Sequence, residues 1–232
     1  MHKAIKGLLF DKDGTLFDFQ KSWGAWCALT IDDMAAEDPA IAARLADVLG
    51  FDHAGRVFYP HSPVIAGTLD QLVGLVHSVF PDRDRDELKD YMVDSATDVP
   101  MVPVVPLVPL LDGFRAQGLK IGLATNDAEI PARAHLEDAD ILSHFDFIAG
   151  YDSGFGGKPE PGMLLGFCEA MNLAPHQVAM IGDSTHDLFA GQAAGMVNIG
   201  VLTGTATAAD LSPHSNVVLD HIGHIPTWLK TG

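Results

Sequence analysis

The stretch GLLFDKDGTLFDF, residues 7–19, runs from apolar residues straight into two carboxylates. Asp11 and Asp13 follow the apolar run directly, and Gly14 comes after them as a turn residue. Two anions two residues apart repel each other, and the edge of an apolar core makes each of them more costly. A cation compensates both, and a metal ion is the simplest one. The stretch therefore predicts a buried strand that ends in a metal-binding acidic pair.

The composition of the 232-residue chain bounds its class. Thirty-one acidic residues against 14 basic ones give a net charge of −17, which argues against nucleic-acid or membrane partners because both need clustered Lys and Arg. The apolar N-terminal run is too short for a signal peptide, and no segment approaches ~18 uninterrupted apolar residues. The two cysteines, Cys27 and Cys168, predict no disulfide framework. We expect a soluble, cytoplasmic monomer or homodimer.

Short apolar runs alternate with helical patterns in most of the second half. This alternation predicts an α/β fold in which helices cover both faces of a parallel sheet. The predicted strands are residues 6–11, 119–125, 145–150, 178–183 and 198–202. The predicted helices between them are residues 130–142, 161–173 and 184–196.

The first half of the chain departs from this alternation after its first strand. Residues 19–100 have helical apolar spacing and no convincing strand. We therefore expect an all-helical insertion over residues 19–100, between two pieces of one core domain, residues 1–18 and 101–232.

Prolines mark the expected boundaries within and after this insertion. Pro39 and Pro81 occupy predicted helix starts. Four further prolines predict an extended, stiff connector back to the core. Residues 16–22 form the other connector, between the first strand and the insertion. Two such connectors suggest an insertion that opens and closes over the sheet. The four prolines are Pro100, Pro103, Pro106 and Pro109.

Polar residues follow the predicted strands at the points where those strands end. Ligands of open α/β sheets bind beyond the carboxyl ends of the strands, so these residues are expected to converge. Carboxylates, a hydroxyl and a lysine are the groups that phosphate-ester chemistry with a divalent cation requires. The converging candidates are Asp11, Asp13, Thr125, Asn126, Lys158, Asp183 and Asp187.

The same residues resemble the four motifs of the haloacid dehalogenase-like (HAD) hydrolases, in order. The motifs are Asp11-x-Asp13-Gly14-Thr15, Thr125-Asn126, Lys158-Pro159 and Gly182-Asp183-x3-Asp187. A helical insertion between the first two motifs resembles the C1 cap of phosphoglycolate phosphatases and their relatives. The resemblance implies a Rossmann-like core with a helical C1 cap.

The resemblance also implies roles for the acidic residues. Asp11 is the expected nucleophile that forms an aspartyl-phosphate, and Asp13 is the expected general acid and base. Gly14 permits the turn that brings both carboxylates to one site and lies against the phosphate. Asp11, the backbone carbonyl of Asp13 and Asp183 are the expected ligands of Mg2+.

The remaining motif residues have expected roles around the phosphoryl group. The Thr125 hydroxyl and the Asn126 backbone N–H are expected to bind phosphoryl oxygens. Lys158 is expected to neutralise the nucleophile and the phosphate together. Asp187 is expected to contact the metal directly or from the second layer, and the alternative is a pairing with Lys158 and no metal role.

The insertion offers candidates for the rest of the substrate. Arg56 is a candidate partner for a substrate carboxylate, and the alternative is an ordinary surface arginine. Trp23 and Trp26 are either core residues or a platform for the substrate.

These observations predict a Mg2+-dependent phosphomonoester hydrolase of a small phosphorylated metabolite, with phosphoglycolate as the first candidate substrate. Asp13 supports a phosphatase, because an oxygen leaving group needs a proton donor. A sugar-phosphate mutase of the β-phosphoglucomutase type would keep the same motifs and remains an alternative. A non-catalytic phosphate-binding protein is the alternative from another class.

Overall fold

The computed structural model describes residues 5–65, 67–97 and 99–231. The outer limits of the predicted core domain, at residues 1 and 232, lie outside the described residues, as do two positions of the predicted insertion, Ala66 and Asp98.

A parallel sheet of six strands forms the centre of the described chain. Across the sheet the strands are, in order, β5 (Phe147–Ala149), β4 (Lys120–Ala124), β1 (Gly7–Phe10), β6 (Val178–Gly182), β7 (Val197–Val201) and β8 (Val217–Leu219). β1 lies in the middle, with Phe10 in register with Leu123 on one side and Ile181 on the other. All four residues of β1 are buried, as expected for a strand covered on both faces.

The predicted α/β fold is confirmed, and all five predicted strands lie in this sheet. The edge strand β8 was not predicted, because it has three residues and each is only partly buried. The predicted helix at 130–142 ends earlier, before Asp140, which adopts a positive φ of 58° that a helix does not continue through. The helices of this part are α5 (Leu107–Arg115), α6 (Glu129–Asp138), α7 (Gly162–Met171), α8 (Thr185–Ala194), α9 (Ala208–Leu211) and α10 (Ile225–Lys230).

The helical insertion between β1 and β4 is also confirmed. It has its own apolar core, which includes Ile31, Leu45, Val76 and Met92. It also contains a two-stranded antiparallel hairpin that the expectation of an all-helical insertion missed, because strands of two residues show no alternating pattern. Its elements are α1 (Phe19–Ala35), α2 (Pro39–Leu49), β2 (Phe51–Asp52), β3 (Val57–Phe58), α3 (Leu69–Val79) and α4 (Arg85–Thr97).

The helix starts predicted at prolines have different outcomes. Pro39 is the first residue of α2, and the Asp38 carboxylate caps that helix. The start at Pro81 is wrong, since α4 begins at Arg85. The Asp84 carboxylate accepts hydrogen bonds from the Asp86 and Glu87 backbone N–H groups and so caps the start of α4.

The two connectors of the insertion pair with each other. The Asp18 N–H donates to the Val102 carbonyl at 2.8 Å, and the Val104 N–H donates to the Leu16 carbonyl at 3.0 Å. The extended connector is shorter than predicted, because Pro109 lies inside α5. It occupies the first turn, where a backbone N–H has no partner within the helix, so proline costs no hydrogen bond there.

Among the described residues, no helix combines the length and the apolar character needed to cross a membrane.

Candidate active site

The predicted site residues meet at the carboxyl edge of the sheet. Asp11 directly follows β1, Thr125 follows β4 and Asp183 follows β6. These three strands are adjacent and parallel, so their ends lie side by side. All three side chains are buried although each is polar, which means that each depends on partners within the protein.

Three carboxylates form a compact buried group. One oxygen from each of Asp11, Asp183 and Asp187 lies within 4.8 Å of the others, and the residues are 8%, 3% and 1% exposed. A set of carboxylate oxygens is the donor set that hard divalent cations prefer. The group therefore fits a metal ion. The Asp13 side chain is not one of the three, and a metal-binding role for its backbone carbonyl stays a prediction.

The pKa values show the cost of this grouping. Burial raises the pKa of Asp11 to about 7, against the opposing charge of Lys158. Burial also raises the pKa of Asp183, and the charges of Asp187 and Asp11 raise it further. A cation among the three carboxylates would favour their charged forms.

Lys158 joins two members of the group. Its Nζ donates to Asp11 Oδ1 at 2.6 Å and to Asp187 Oδ1 at 2.7 Å. Burial acts to lower the pKa of Lys158, but the two carboxylates outweigh burial and raise it, so the ammonium stays charged. The other oxygen of Asp187 accepts hydrogen bonds from the Ser184 N–H and hydroxyl. The pairing of Asp187 with Lys158, one of the two alternatives from the sequence, is thus present. A role for Asp187 at a metal stays a prediction.

The side chain of Asn126 holds the loop that carries Lys158. Its Nδ2 donates to the Lys158 carbonyl at 3.0 Å, and its Oδ1 accepts from the Lys158 N–H at 2.8 Å. The sequence pointed only to the backbone N–H of Asn126. Thr125 faces the same site, and its hydroxyl oxygen accepts a hydrogen bond from the Asp127 N–H at 3.1 Å.

Gly14 has the turn conformation that was predicted for it. Its φ is +79°, a region that favours glycine, and a Cβ there would overlap the Asp183 carboxylate. The Thr203 hydroxyl donates to its carbonyl at 2.6 Å. Gly14 thus lets the chain pass close to Asp183.

Asp13 has two partners that the sequence analysis did not assign. Trp23 Nε1 of α1 donates to Asp13 Oδ1 at 2.6 Å. Lys12 Nζ lies 3.3 Å from Asp13 Oδ2. Trp23 is buried, as the core interpretation expected, but it also connects the insertion to the acidic pair.

Lys12 is the centre of a second buried ion network. Its side chain is fully buried and pairs with Asp127 as well as Asp13. Burial acts to lower its pKa, but Asp127 and Asp13 outweigh burial and raise it. Its Nζ also lies 2.9 Å from His135 Nδ1. One signal in the sequence could have indicated this network. Lys12 stands between two aspartates at the end of a buried strand, where a charged side chain needs an acidic partner.

The network reaches the insertion through His135. Burial and the charge of Lys12 lower the pKa of His135, which keeps the imidazole neutral. Because an ammonium only donates, Nδ1 accepts from Lys12, and Nε2 carries the proton. Nε2 then donates to the Ala96 carbonyl at the end of α4, 2.8 Å away. A continuous polar path thus joins Asp13 to α4.

A cavity lies between this edge of the sheet and the insertion. The sheet side carries the acidic group with Thr125, Asn126 and Lys158. The insertion side is lined by side chains of α1, α3 and α4. Arg56 is exposed on the turn between β2 and β3 and is not among the described residues that line the cavity.

A family model described as "haloacid dehalogenase-like hydrolase" matches residues 5–195. The chain belongs to the haloacid dehalogenase-like hydrolases. This confirms the family resemblance and the expectation of a hydrolytic enzyme.

Similar proteins agree with this assignment. The chain is 27% identical to a phosphoglycolate phosphatase of Chromobacterium violaceum over 99% of both chains. A HAD phosphatase of Thermococcus onnurineus has a similar structure, with a TM-score of 0.68, 20% identity, and coverage of 97% of this chain and 98% of the other. A β-phosphoglucomutase of Clostridium difficile gives a TM-score of 0.66 at 18% identity, with 98% of each chain covered. The two structures show the fold alone.

The buried carboxylates of this HAD hydrolase predict a response to divalent cations. We expect MgCl2 to raise the melting temperature, because a ligand that binds only the folded state at about 100 times its Kd stabilises it by about 2.7 kcal/mol. The Asp183→Asn variant should lose most of the rise, and the exposed Asp210→Asn variant should keep it. Equal rises in both variants, measured by differential scanning fluorimetry, would place the cation elsewhere.

The Lys12 network predicts a large stability loss on removal of its main partner. Asp127→Asn leaves the fully buried Lys12 ammonium with Asp13 as its remaining carboxylate partner, and we expect a loss of about 2–3 kcal/mol in the free energy of unfolding. Asp70→Asn is the matched control, because it breaks an exposed pair with Lys89 and should cost less than about 1 kcal/mol. Urea denaturation measures both free energies of unfolding. Similar losses would contradict the importance assigned to the buried network.

Proposed function

We propose that the chain is a Mg2+-dependent phosphomonoesterase that acts on a small phosphorylated metabolite through an aspartyl-phosphate on Asp11. The observation that carries the proposal is the contact between Lys158 and Asp11 beside the group of three buried carboxylates. Family membership and the Chromobacterium violaceum relative support it.

The donor atoms of the site fit Mg2+. Asp11, Asp183 and the backbone carbonyl of Asp13 would hold it, and all three are oxygen ligands. When bound, the ion supplies positive charge beside the phosphoryl oxygens. Asp187 positions Lys158 and is either a further ligand or a second-layer residue.

In the first step, a carboxylate oxygen of Asp11 attacks phosphorus while the bond from phosphorus to the ester oxygen breaks. Asp13 gives its proton to that departing oxygen, which leaves as an alcohol. Lys158, Thr125 and the Asn126 backbone N–H stabilise the charge on the transferring phosphoryl group. Gly14, next to Asp11 and Asp13, lets the phosphoryl group approach the chain closely.

In the second step, water attacks phosphorus of the aspartyl-phosphate and gives a proton to Asp13. The bond between phosphorus and Asp11 breaks, which restores the carboxylate and releases inorganic phosphate. Asp13 thus serves first as acid and then as base, and it is protonated again for the next cycle.

The insertion is the proposed cap domain, with limits at residues 19–100 and a core of residues 1–18 and 101–232. The paired connectors around Phe17 and Pro103 would be the hinge between them. The protein is proposed to work in the cytoplasm, as a monomer or homodimer, and its two cysteines are buried and unpaired.

Phosphoglycolate is a candidate substrate because the Chromobacterium violaceum relative is called a phosphoglycolate phosphatase. The second candidate function is a mutase, since a β-phosphoglucomutase shares the fold. Conversion of β-glucose 1-phosphate to glucose 6-phosphate, with a bisphosphate present and no phosphate release, would favour the mutase. Binding of phosphate without turnover of any ester would favour the non-catalytic alternative.

Replacement of the nucleophile tests the proposal directly. Asp11→Asn keeps the shape but removes the attacking carboxylate, so we expect kcat for phosphate release to fall at least about 1,000-fold. Phosphate release from a panel of phosphomonoesters with MgCl2 measures this. The exposed Asp70→Asn variant should keep the rate of the original chain, and release that survives in Asp11→Asn would refute the proposed nucleophile.

The role of Asp13 predicts a dependence on the leaving group. Asp13→Asn should lower kcat for an alkyl phosphate by about 100-fold to 10,000-fold, because an alkoxide needs a proton. The loss in the first step should be much smaller for p-nitrophenyl phosphate, whose leaving group departs unprotonated. Rapid-quench measurement of the first turnover separates this step from hydrolysis of the intermediate. Equal losses for both esters would exclude Asp13 as the acid.

A further inference from the structure

We infer that the preferred substrates are phosphomonoesters of uncharged alcohols with an apolar face about the size of an aromatic ring, and not esters that carry a carboxylate. The inference rests on the proposed function, because it concerns the alcohol part of the same substrate. It differs from the phosphoglycolate candidate, whose leaving group carries a carboxylate.

The wall that faces the catalytic edge is apolar. The described lining residues from the insertion come from α1, the turn before α3, α3 itself and α4, and none of them has an ionisable side chain. Covering such a wall with the apolar part of a ligand is favourable by about 25 cal/mol per Å2 of apolar surface removed from water. Its largest side chains are Phe19, Trp23, Trp26, Leu69, Leu72 and Met92.

The two tryptophans present carbon surface to the cavity. Trp23 Nε1 donates to Asp13, and Trp26 Nε1 donates to the Ser95 hydroxyl at 3.2 Å. Their rings pack edge to face, with centroids 5.2 Å apart. Both indole N–H groups therefore have partners within the protein, and the ring carbons are what a ligand meets.

The charges in the cavity oppose a second anionic group. Asp13 and Asp127, which share the buried Lys12 ammonium, line it together with the three carboxylates of the cation site. Lys158 is the one lysine or arginine among the described lining residues, and it already contacts Asp11 and Asp187. A carboxylate at the apolar wall would lose hydration without gaining a partner. His186, in α8, also lines the cavity, on the side of the core domain.

The position of Asp13 connects the wall to the reaction. If Asp13 protonates the departing oxygen, that oxygen lies beside Asp13 during the reaction. Trp23 contacts the same carboxylate, so the carbon atoms attached to the oxygen lie next to the Trp23 ring. The alcohol part of the substrate thus meets the apolar wall.

The test compares benzyl phosphate with phosphoglycolate as substrates of the full chain with MgCl2. Both have an alkyl oxygen as the leaving group, but one presents a neutral ring and the other a carboxylate. We expect kcat/KM for benzyl phosphate to be at least about tenfold higher. Calorimetry with the Asp11→Asn variant measures binding of both esters without turnover, and we expect the same order of Kd.

Two substitutions in the wall sharpen the test. Trp26→Ala should lower kcat/KM for benzyl phosphate about tenfold, mainly through KM, because the ring surface is lost and Asp13 keeps its contacts. Leu72→Arg adds a cation to the wall and should shift the preference toward phosphoglycolate by at least about tenfold. Leu29→Ala is the control, because Leu29 lies on α1 but is 64% exposed and outside the cavity. This variant should leave kcat/KM unchanged for both esters. Melting curves confirm that each variant is folded.

The outcomes are distinguishable. Turnover that depends on Asp11 but favours phosphoglycolate, with the same order in binding, would overturn this inference and leave the proposed function intact. An unchanged preference in both folded wall variants would also overturn it. If the chain neither turns over nor binds either ester, the proposed function and this inference are both overturned.

Discussion

The site depends on one ammonium group held between two carboxylates. Lys158 contacts both Asp11 and Asp187 in a buried setting, where like charges would otherwise repel strongly. Two sets of hydrogen bonds hold these groups in position. Asn126 bonds to the backbone of Lys158, and the Ser184 hydroxyl donates to the second oxygen of Asp187. The central position of β1 brings the first carboxylate to the same place.

The neighbouring acids Asp11 and Asp13 are tolerable because they have different partners. Asp11 faces Lys158 and the other site carboxylates, whereas Asp13 is held by Lys12 and by Trp23 of the insertion. The positive φ of Gly14 lets the chain pass close to Asp183, where a Cβ would overlap the carboxylate. Asp11 thus belongs to the group of carboxylates that fits a cation, whereas Asp13 contacts α1 of the insertion.

Much of the fold was predictable because the apolar runs of the central strands and the helical spacing of apolar residues leave clear patterns, and the motif residues stand at strand ends. Strands β2 and β3 were not, since two residues form no pattern, and neither was β8, whose three residues are only partly buried. The pair of the buried Lys12 and the partly buried Asp127 joins residues 115 positions apart, and no local signal gives such a partner. The second role of Trp23 was hidden for the same reason, because its contact to Asp13 depends on how α1 packs against the sheet.

The central claim is that Asp11 carries the phosphoryl group during turnover. Rapid acid quench, reduction with borohydride and peptide mass spectrometry would show which residue carried it, since an aspartyl-phosphate is reduced to homoserine. The account predicts homoserine at position 11, formed only when substrate and MgCl2 are both present. Homoserine at another aspartate, or phosphate release with no reduced residue at any sampled time, would contradict it.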